Sequence, residues 1–453
     1  MSFPRYPEYK HSGVEWLGEV PCHWEVKRLR FVVEINPSKS EVAKLTPDTE
    51  VSFLPMEAIG DDGSLNLERT RPIQEVGSGY TYFREDDVAV AKITPCFENG
   101  KGAVMRGLVE GLGFGTTELI VTRPRRDHIT SEYLHCLYTS ATFRRLGEAS
   151  MYGAGGQKRV PDDFIRDFEI GLPAVPEQQA IVTFLNRETS KIDALVAEQE
   201  KLIELLKEKR QAIISHAVTR GLDPAVPMKD SGIEWLGKVP VHWEVAPLKR
   251  FVVLTTSGPR GWSDLVSETG AVFFQSQNIG YSMEVSLGES NRITPPSDAD
   301  AERTRLKSDD VVICITGGRT GAVAHVPQNI EEAYVNQHVC LLRPSAQTLG
   351  KFLAYCLFSI PCQEQLSRAM YGLKQGMGLD QVRSTVVACP SMEEQREIIA
   401  FLDAKVAAFD ALIAEARRAI GLLTERRAAL ISAAVTGRID VRGLVTAEAA
   451  EAA

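Results

Sequence analysis

The chain contains its own sequence twice, and this constrains its fold more than any other feature. Ser12–Val26 (SGVEWLGEVPCHWEV) returns as Ser231–Val245 (SGIEWLGKVPVHWEV), identical at twelve of fifteen positions at an offset of 219. Glu177–Asn186 (EQQAIVTFLN) returns as Glu394–Asp403 (EQREIIAFLD), and Ala217-Val218-Thr219 as Ala434-Val435-Thr436, both at an offset of 217. Between these anchors the copies agree only in places, as at Asp86-Asp87-Val88 with Asp309-Asp310-Val311 and Met151-Tyr152-Gly153 with Met370-Tyr371-Gly372. Each copy is a variable block of about 150 residues closed by a more constant block of about 50, so one architecture must serve twice.

The constant blocks read as long helices. Pro176 suits a first helical position, and Glu177 favours the positive end of the helix. Gly221 and Gly437 stand where a glycine stop belongs. Between them, Ile192, Leu195, Gln199, Leu202, Leu206, Lys209 and Ile213 alternate in steps of three and four, the spacing of a coiled-coil seam. The second copy supplies Phe409, Leu412, Ala416, Ala419, Leu423, Arg426 and Leu430, with small residues opposite Gln199 and Leu202. About 40 helical residues make a rod of about 60 Å. The expected arrangement is an antiparallel pair of such helices; the plain alternative is a separate surface helix on each domain.

The variable blocks read as mixed α/β. Val88–Ala91, Leu119–Val121, Val311–Ile315 and Val339–Leu342 are short apolar runs bounded by turn residues, as buried strands are. Tyr133–Leu146 and Phe352–Leu366 carry amphipathic helical patterns. Turn chemistry is dense at Gly60-Asp61-Asp62-Gly63, Gly153-Ala154-Gly155-Gly156 and Thr316-Gly317-Gly318-Arg319.

Several chemistries are excluded or left without residues. The cysteines at 22, 96, 136, 314, 340, 356, 362 and 389 form no CxxC pair, which predicts free thiols and no zinc site. There is no P-loop, no Gly-x-Ser-x-Gly, and no Asn-Pro-Pro-aromatic pocket; Pro295-Pro296 has Thr294 before it and Ser297 after it. Pro161-Asp162-Asp163 is followed by no Glu-x-Lys within reach. No stretch of about 18 apolar residues occurs, and the first residues show neither an apolar segment nor a cleavage site, so a cytoplasmic location is expected. The net charge of −9 argues against nucleic acid, although a basic face alone would suffice for binding.

Two variable blocks, each ended by a helix start of the form Pro-x-x-x-Glu-Gln-x-x-Ile (Pro173–Ile181 and Pro390–Ile398) and by an Ala-Val-Thr stop, with Gly221 two residues after Thr219 and Gly437 directly after Thr436, resemble the specificity subunit of a type I restriction–modification system. Met392-Glu393 replaces Val175-Pro176 in the second copy. The Trp-Leu-Gly…Pro-x-His-Trp element is also familiar from that family, and the resemblance covers the chain up to about Gly443. It implies two target recognition domains, 1–173 and 223–390, each reading one half of a bipartite double-stranded DNA site. It further implies that the helical segments 174–222 and 391–440 pair as a coiled coil that spaces the readers and docks two methyltransferase subunits. The Ala/Glu-rich segment 441–453 is expected to be a disordered tail. Restriction/translocase subunits would join the assembly. S-adenosylmethionine, ATP and Mg would be used by partners, with no cofactor and no catalytic centre on this chain. The competing class is a coiled-coil scaffold whose heads bind protein.

Reading loops should differ between copies while the scaffold stays. Counted between Asp87 and Gly102 and between Asp310 and Gly321, the first loop is the longer by four. Lys92, Thr94, Asn99 and Lys101 in that loop, and Arg319 and Thr320 in its counterpart, are types that contact bases and phosphates. So are Gln157, Lys158 and Arg159 after Tyr152, and Lys374 and Gln375 after Tyr371. A solvated loop is the bland alternative for each. Arg123-Pro124-Arg125-Arg126 reads as a solvated charge run, and Trp16, Trp24, Trp235 and Trp243 as structural anchors.

Overall fold

The computed structural model describes residues 3–154, 156–370 and 376–444. It divides into two compact units: one of residues 1–199 and 418–453, the other of residues 200–417. Each unit therefore takes its following helix from its own copy and a second helical stretch from the other copy. The first long helix is Val175–Arg220 and the second Met392–Val435.

In the first unit a four-stranded antiparallel sheet has the order Val33–Ile35, Leu119–Pro124, Val88–Ala91, Gly102–Val104. A second four-stranded sheet runs Thr70–Pro72, Glu50–Leu54, Leu112–Gly115, Thr81–Arg84, with Glu50–Leu54 and Leu112–Gly115 parallel. The second unit repeats the first sheet as Val252–Ser257, Val339–Pro344, Val311–Cys314, Val323–His325. Its other sheet pairs Ala271–Phe274 in parallel with Ala333–Val335. The apolar runs at 88–91 and 311–314 are buried at every position, which explains their lack of polar alternation.

The loop length expected from glycine spacing needs correction. Val90 pairs with Gly102, and Ile313 pairs with Val323. Gly102 thus corresponds to Val323 and not to Gly321, and the connections Val90–Gly102 and Ile313–Val323 differ by two residues instead of four.

The repeated motifs have a common physical cause. Glu177 Oε1 accepts hydrogen bonds from Trp24 Nε1 (3.1 Å) and Tyr6 Oη (2.7 Å), while Oε2 lies 2.8 Å from His23 Nε2. Glu394 repeats this with Trp243 Nε1 (3.0 Å) and His242 Nε2 (2.8 Å). The next residue is a clamp. Gln178 Oε1 accepts from Thr130 N, and its amide nitrogen donates to the His128 and Pro173 carbonyls. Gln395 does the same with Leu349 N and the Gln347 and Pro390 carbonyls. Both glutamines are completely buried, where every polar atom needs a partner. Gly437 has φ +72°, and a Cβ there would stand 2.4 Å from Pro21 Cδ and 3.2 Å from the Trp24 ring. Only glycine fits this helix stop, which Arg438 N closes onto the Ala433 carbonyl at 2.8 Å. Val441 is fully buried in the first unit's core and Leu444 packs against that core, while Arg442 and Gly443 are exposed; 445–453 lie outside the described residues.

The stripe that the long helices bury is offset from the one expected. Ile192 and Leu430 are buried, and Leu206, Ile213, Phe409 and Leu423 are half-buried. Leu195, Leu202 and Leu412 are 45%, 42% and 54% exposed, whereas Ile203 and Ile413 are buried and Val196 and Ile420 half-buried. The three-and-four alternation survives, displaced by one residue at every second position. Within the second unit Arg210 pairs with Asp410, and within the first Arg427 Nε meets Asp193 at 2.9 Å. These pairs are counterparts, because Arg427 and Asp410 each lie 217 positions after Arg210 and Asp193.

Candidate nucleic-acid interface

The same three chain segments converge at one end of the repeated antiparallel sheet in both units. In the first, Lys92 leaves its strand and donates its N–H to the Glu118 carbonyl (2.8 Å), while Asn36 Oδ1 accepts from Val121 N (3.1 Å). A cleft of about 370 Å³ opens there, lined by Asn36, Ser38, Tyr80, Tyr82, Lys92 and Thr117. In the second unit Ile315 N donates to the His338 carbonyl (2.9 Å), the counterpart of the Lys92–Glu118 bond. The cleft there is about 1170 Å³, lined by Arg260, Ser276, Thr316, Thr320, Gln337 and His338 among others.

The structure joins two segments that lie far apart in the sequence. Thr94 N donates to the Lys158 carbonyl (3.0 Å), Val160 N donates to the Lys92 carbonyl (2.8 Å), and Ile93 bridges Arg159. Loop 92–101 and segment 152–159 are therefore one patch. In the second unit Met377 N reaches the Ile315 carbonyl (2.9 Å), the same connection; Tyr371, Lys374 and Gln375 themselves lie outside the described residues.

Individual residues divide into held and outward-facing. Thr94 Oγ1 donates to Glu98 (2.8 Å), and Lys101 Nζ to the Met56 carbonyl (3.2 Å), so both brace the loop. Asn99, Gln157 and Lys158 are exposed, and Tyr152 is 63% exposed. Arg159 grips Glu118 through Nε (2.9 Å) and Nη2 (2.7 Å), and that guanidinium holds the Glu118 carboxyl below the ordinary carboxylate range. Arg319 lies 4.5 Å over the ring of Tyr281, which is 84% exposed. Thr320 Oγ1 donates to the Gly317 carbonyl at 2.6 Å, closing the Gly317–Thr320 turn.

Arg123 is structural: its Nε and Nη2 meet both oxygens of the buried Asp87 at 2.8 and 2.9 Å, and Arg343 does the same to Asp310. Burial pushes the Cys362 thiol up to about 12 and the Cys389 thiol up to about 11, well above neutrality, so neither is a ready nucleophile. Thr117, Glu118, Gln337, His338, Arg260 and Tyr281 were missed in the sequence. For the first four a signal existed. They directly precede the repeated strands at Leu119 and Val339 and differ between copies, just as the loops after the strands do.

Among the described residues no helix is long and apolar enough to cross a membrane. Residues 253–420 match the family described as "Type I restriction modification DNA specificity domain". The type I restriction enzyme EcoAI specificity subunit of Escherichia coli is 42% identical over 189 residues, covering 41% of this chain and 31% of that protein. The EcoEI specificity subunit of Escherichia coli is 40% identical over 189 residues, again 41% and 31%. The match thus spans under a third of these relatives' length. A chain solved in work on complex assembly and conformational transition of the type I R-M system shares the fold, with a TM-score of 0.74, 18% identity, and coverage of 92% of this chain and 98% of that one. These likenesses thus show a DNA specificity domain of this type at residues 253–420 and, for the chain as a whole, the fold alone.

Proposed function

We propose that this chain is the non-catalytic, sequence-reading subunit of a type I restriction–modification complex, with each compact unit reading one half of a bipartite DNA target. The observation that carries this reading is the pair of clefts. They stand at equivalent strand ends, held by equivalent backbone bonds, yet are lined by Lys92 and Thr117 in one unit and by Gln337 and His338 in the other. A reader of two unrelated half-sites needs this combination of a fixed frame and exchangeable side chains that reach base edges. Lys92, Lys158 and Arg260 supply positive charge beside the clefts despite the chain's net charge of −9. Asn99, Gln157, Tyr152, Arg319 and Thr320 complete the reading faces, and Arg159 and Lys101 position them. The recognition domains are taken as 1–173 and 223–390.

The long helices pair as an antiparallel coiled coil that sets the spacing of the readers. Its outer face docks two copies of a methyltransferase subunit. Leu195 and Leu412, and likewise Leu205 and Leu422, are exposed leucines separated by the repeat offset, giving two like surfaces for two like partners. Those partners, with restriction/translocase subunits, use S-adenosylmethionine, ATP and Mg.

The test is an exchange of residues 30–170 for the corresponding block of a family member with a different target, followed by sequencing of methylated genomic DNA from cells that also make the methyltransferase subunit. One half of the methylated motif changes and the other persists. Change in both halves breaks the modular reading, and absence of any sequence-specific methylation by the unaltered complex overturns the DNA-reading function.

A further inference from the structure

We propose that Gln337 reads an adenine edge within the half-site engaged by the second unit, with His338 and Thr316 as its positioning residues. This rests on the DNA-reading function proposed above and assigns a residue to it. The backbone beneath Gln337 is a fixed pedestal. Asn336 is 5% exposed, its N–H donates to the Phe274 carbonyl (2.9 Å), and its own carbonyl accepts from Gly258 N (3.0 Å) and Val339 N (3.2 Å). Its side-chain Oδ1 accepts from His338 N at 3.0 Å. A residue held this way projects into the cleft with little freedom, as readout requires.

The side chains form a short relay. The Thr316 hydroxyl is hydrogen-bonded to His338 Nδ1, and Gln337 Nε2 lies 3.2 Å from His338 Nε2. With the imidazole proton on Nδ1 and shared with Thr316, Nε2 accepts one amide hydrogen of Gln337. One amide hydrogen and the whole carbonyl of Gln337 remain. That carbonyl oxygen is buried and has no hydrogen-bond partner among the described residues. An unmet buried acceptor is costly to keep, so a donor brought in by a ligand would be stabilised here. The amide lines the cleft of about 1170 Å³, and rotation about its side-chain bonds presents a donor and an acceptor in one plane. That pair complements the N7 acceptor and N6 amino group of adenine in the major groove.

The first unit supports a role in specificity rather than in folding. Thr117 and Glu118 occupy the equivalent places, with Glu118 engaged by Arg159, so the scaffold accepts different chemistry at these positions.

Gln337→Thr installs the residue that the first unit uses at this point, so the turn is expected to survive. The complex of this variant with its methyltransferase subunit is assayed by sequencing methylated genomic DNA. The expected result is loss of discrimination at one adenine of one half-site, by about tenfold or more, with the other half unchanged. Gln337→Glu, whose carboxylate only accepts, is expected to shift that position toward cytosine. An unchanged motif in both variants overturns the proposal. If a variant complex assembles but does not methylate, its binding to duplexes altered one base pair at a time decides. Discrimination lost at one position supports the assignment, and uniform weakening at all positions overturns it. Failure of the unaltered complex to methylate a defined motif is a separate result, which removes the underlying function.

Discussion

The two units solve one packing problem with different side chains. In the first, Trp16 stacks on Phe168 at 4.8 Å, and Phe168 packs against Phe143 and Phe164. In the second, Thr385 stands where Phe168 does, as the bonds Leu29 N to the Phe168 carbonyl and Leu248 N to the Thr385 carbonyl show. Trp235 there faces Arg368 at 5.0 Å, beside a cavity of about 320 Å³ lined by Trp235, Arg368, Ser384 and Thr385. The glutamate anchor differs in depth as well: Glu177 is 8% exposed with three donors, whereas Glu394 is 24% exposed with two. What the copies keep is the contact between a tryptophan element and the helices. What they let drift is the surface that each unit turns to solvent or to a ligand.

The largest difference should come from exchanging the two stacking partners. Phe168→Thr removes a buried ring and is expected to destabilise the first unit by about 3 kcal/mol, whereas Thr385→Phe fills part of a cavity and stabilises the second by about 1 kcal/mol. Denaturant unfolding of the two variants measures both; shifts of the same sign would show that the units do not differ here. The anchors should separate next. Glu177→Ala orphans the Trp24 and Tyr6 donors in the interior and is expected to cost about 2–3 kcal/mol, against about 1 kcal/mol for Glu394→Ala. Equal losses in thermal unfolding would mean that burial depth does not set the strength of the anchor.

The smallest effect is a pH dependence. Arg159 lowers the Glu118 pKa in the first unit, so the stabilisation is present above the ordinary carboxylate range and lost as pH falls through the depressed value. The second unit has His338 at this place and lacks that carboxylate–guanidinium pair. Acidification is therefore expected to lower the protection factors, with rates corrected for the pH dependence of intrinsic exchange, at the Tyr152 and Arg159 amides, which bond to each other's carbonyls at 3.1 and 2.9 Å. Glu118→Gln should show the lowered protection already at neutral pH. If wild type and variant exchange alike across the range, the ion pair does not hold this patch.

Much was legible in the sequence because it rests on local chemistry. The repeat, the strands at 88–91 and 311–314, the helix start at Val175 and the glycine stops all follow from residue type and near neighbours. The duplication alone determined that there are two like frames and that their differences lie between the anchors.

The tertiary structure decided which face of each long helix is buried. The apolar residues come in adjacent pairs, Leu195-Val196, Leu202-Ile203, Leu412-Ile413 and Ala419-Ile420, and either member continues a three-and-four alternation. Hydrophobicity cannot choose within such a pair, since both members satisfy the same period. The choice falls to the register of the packed partner, fixed in each unit by an Arg–Asp bridge between helical stretches that lie 200 and 234 residues apart in sequence. It was likewise the folding of the sheet that set Lys92 beside Lys158 and Gln337 beside Thr316, because strand pairing brings loop ends together irrespective of their distance along the chain.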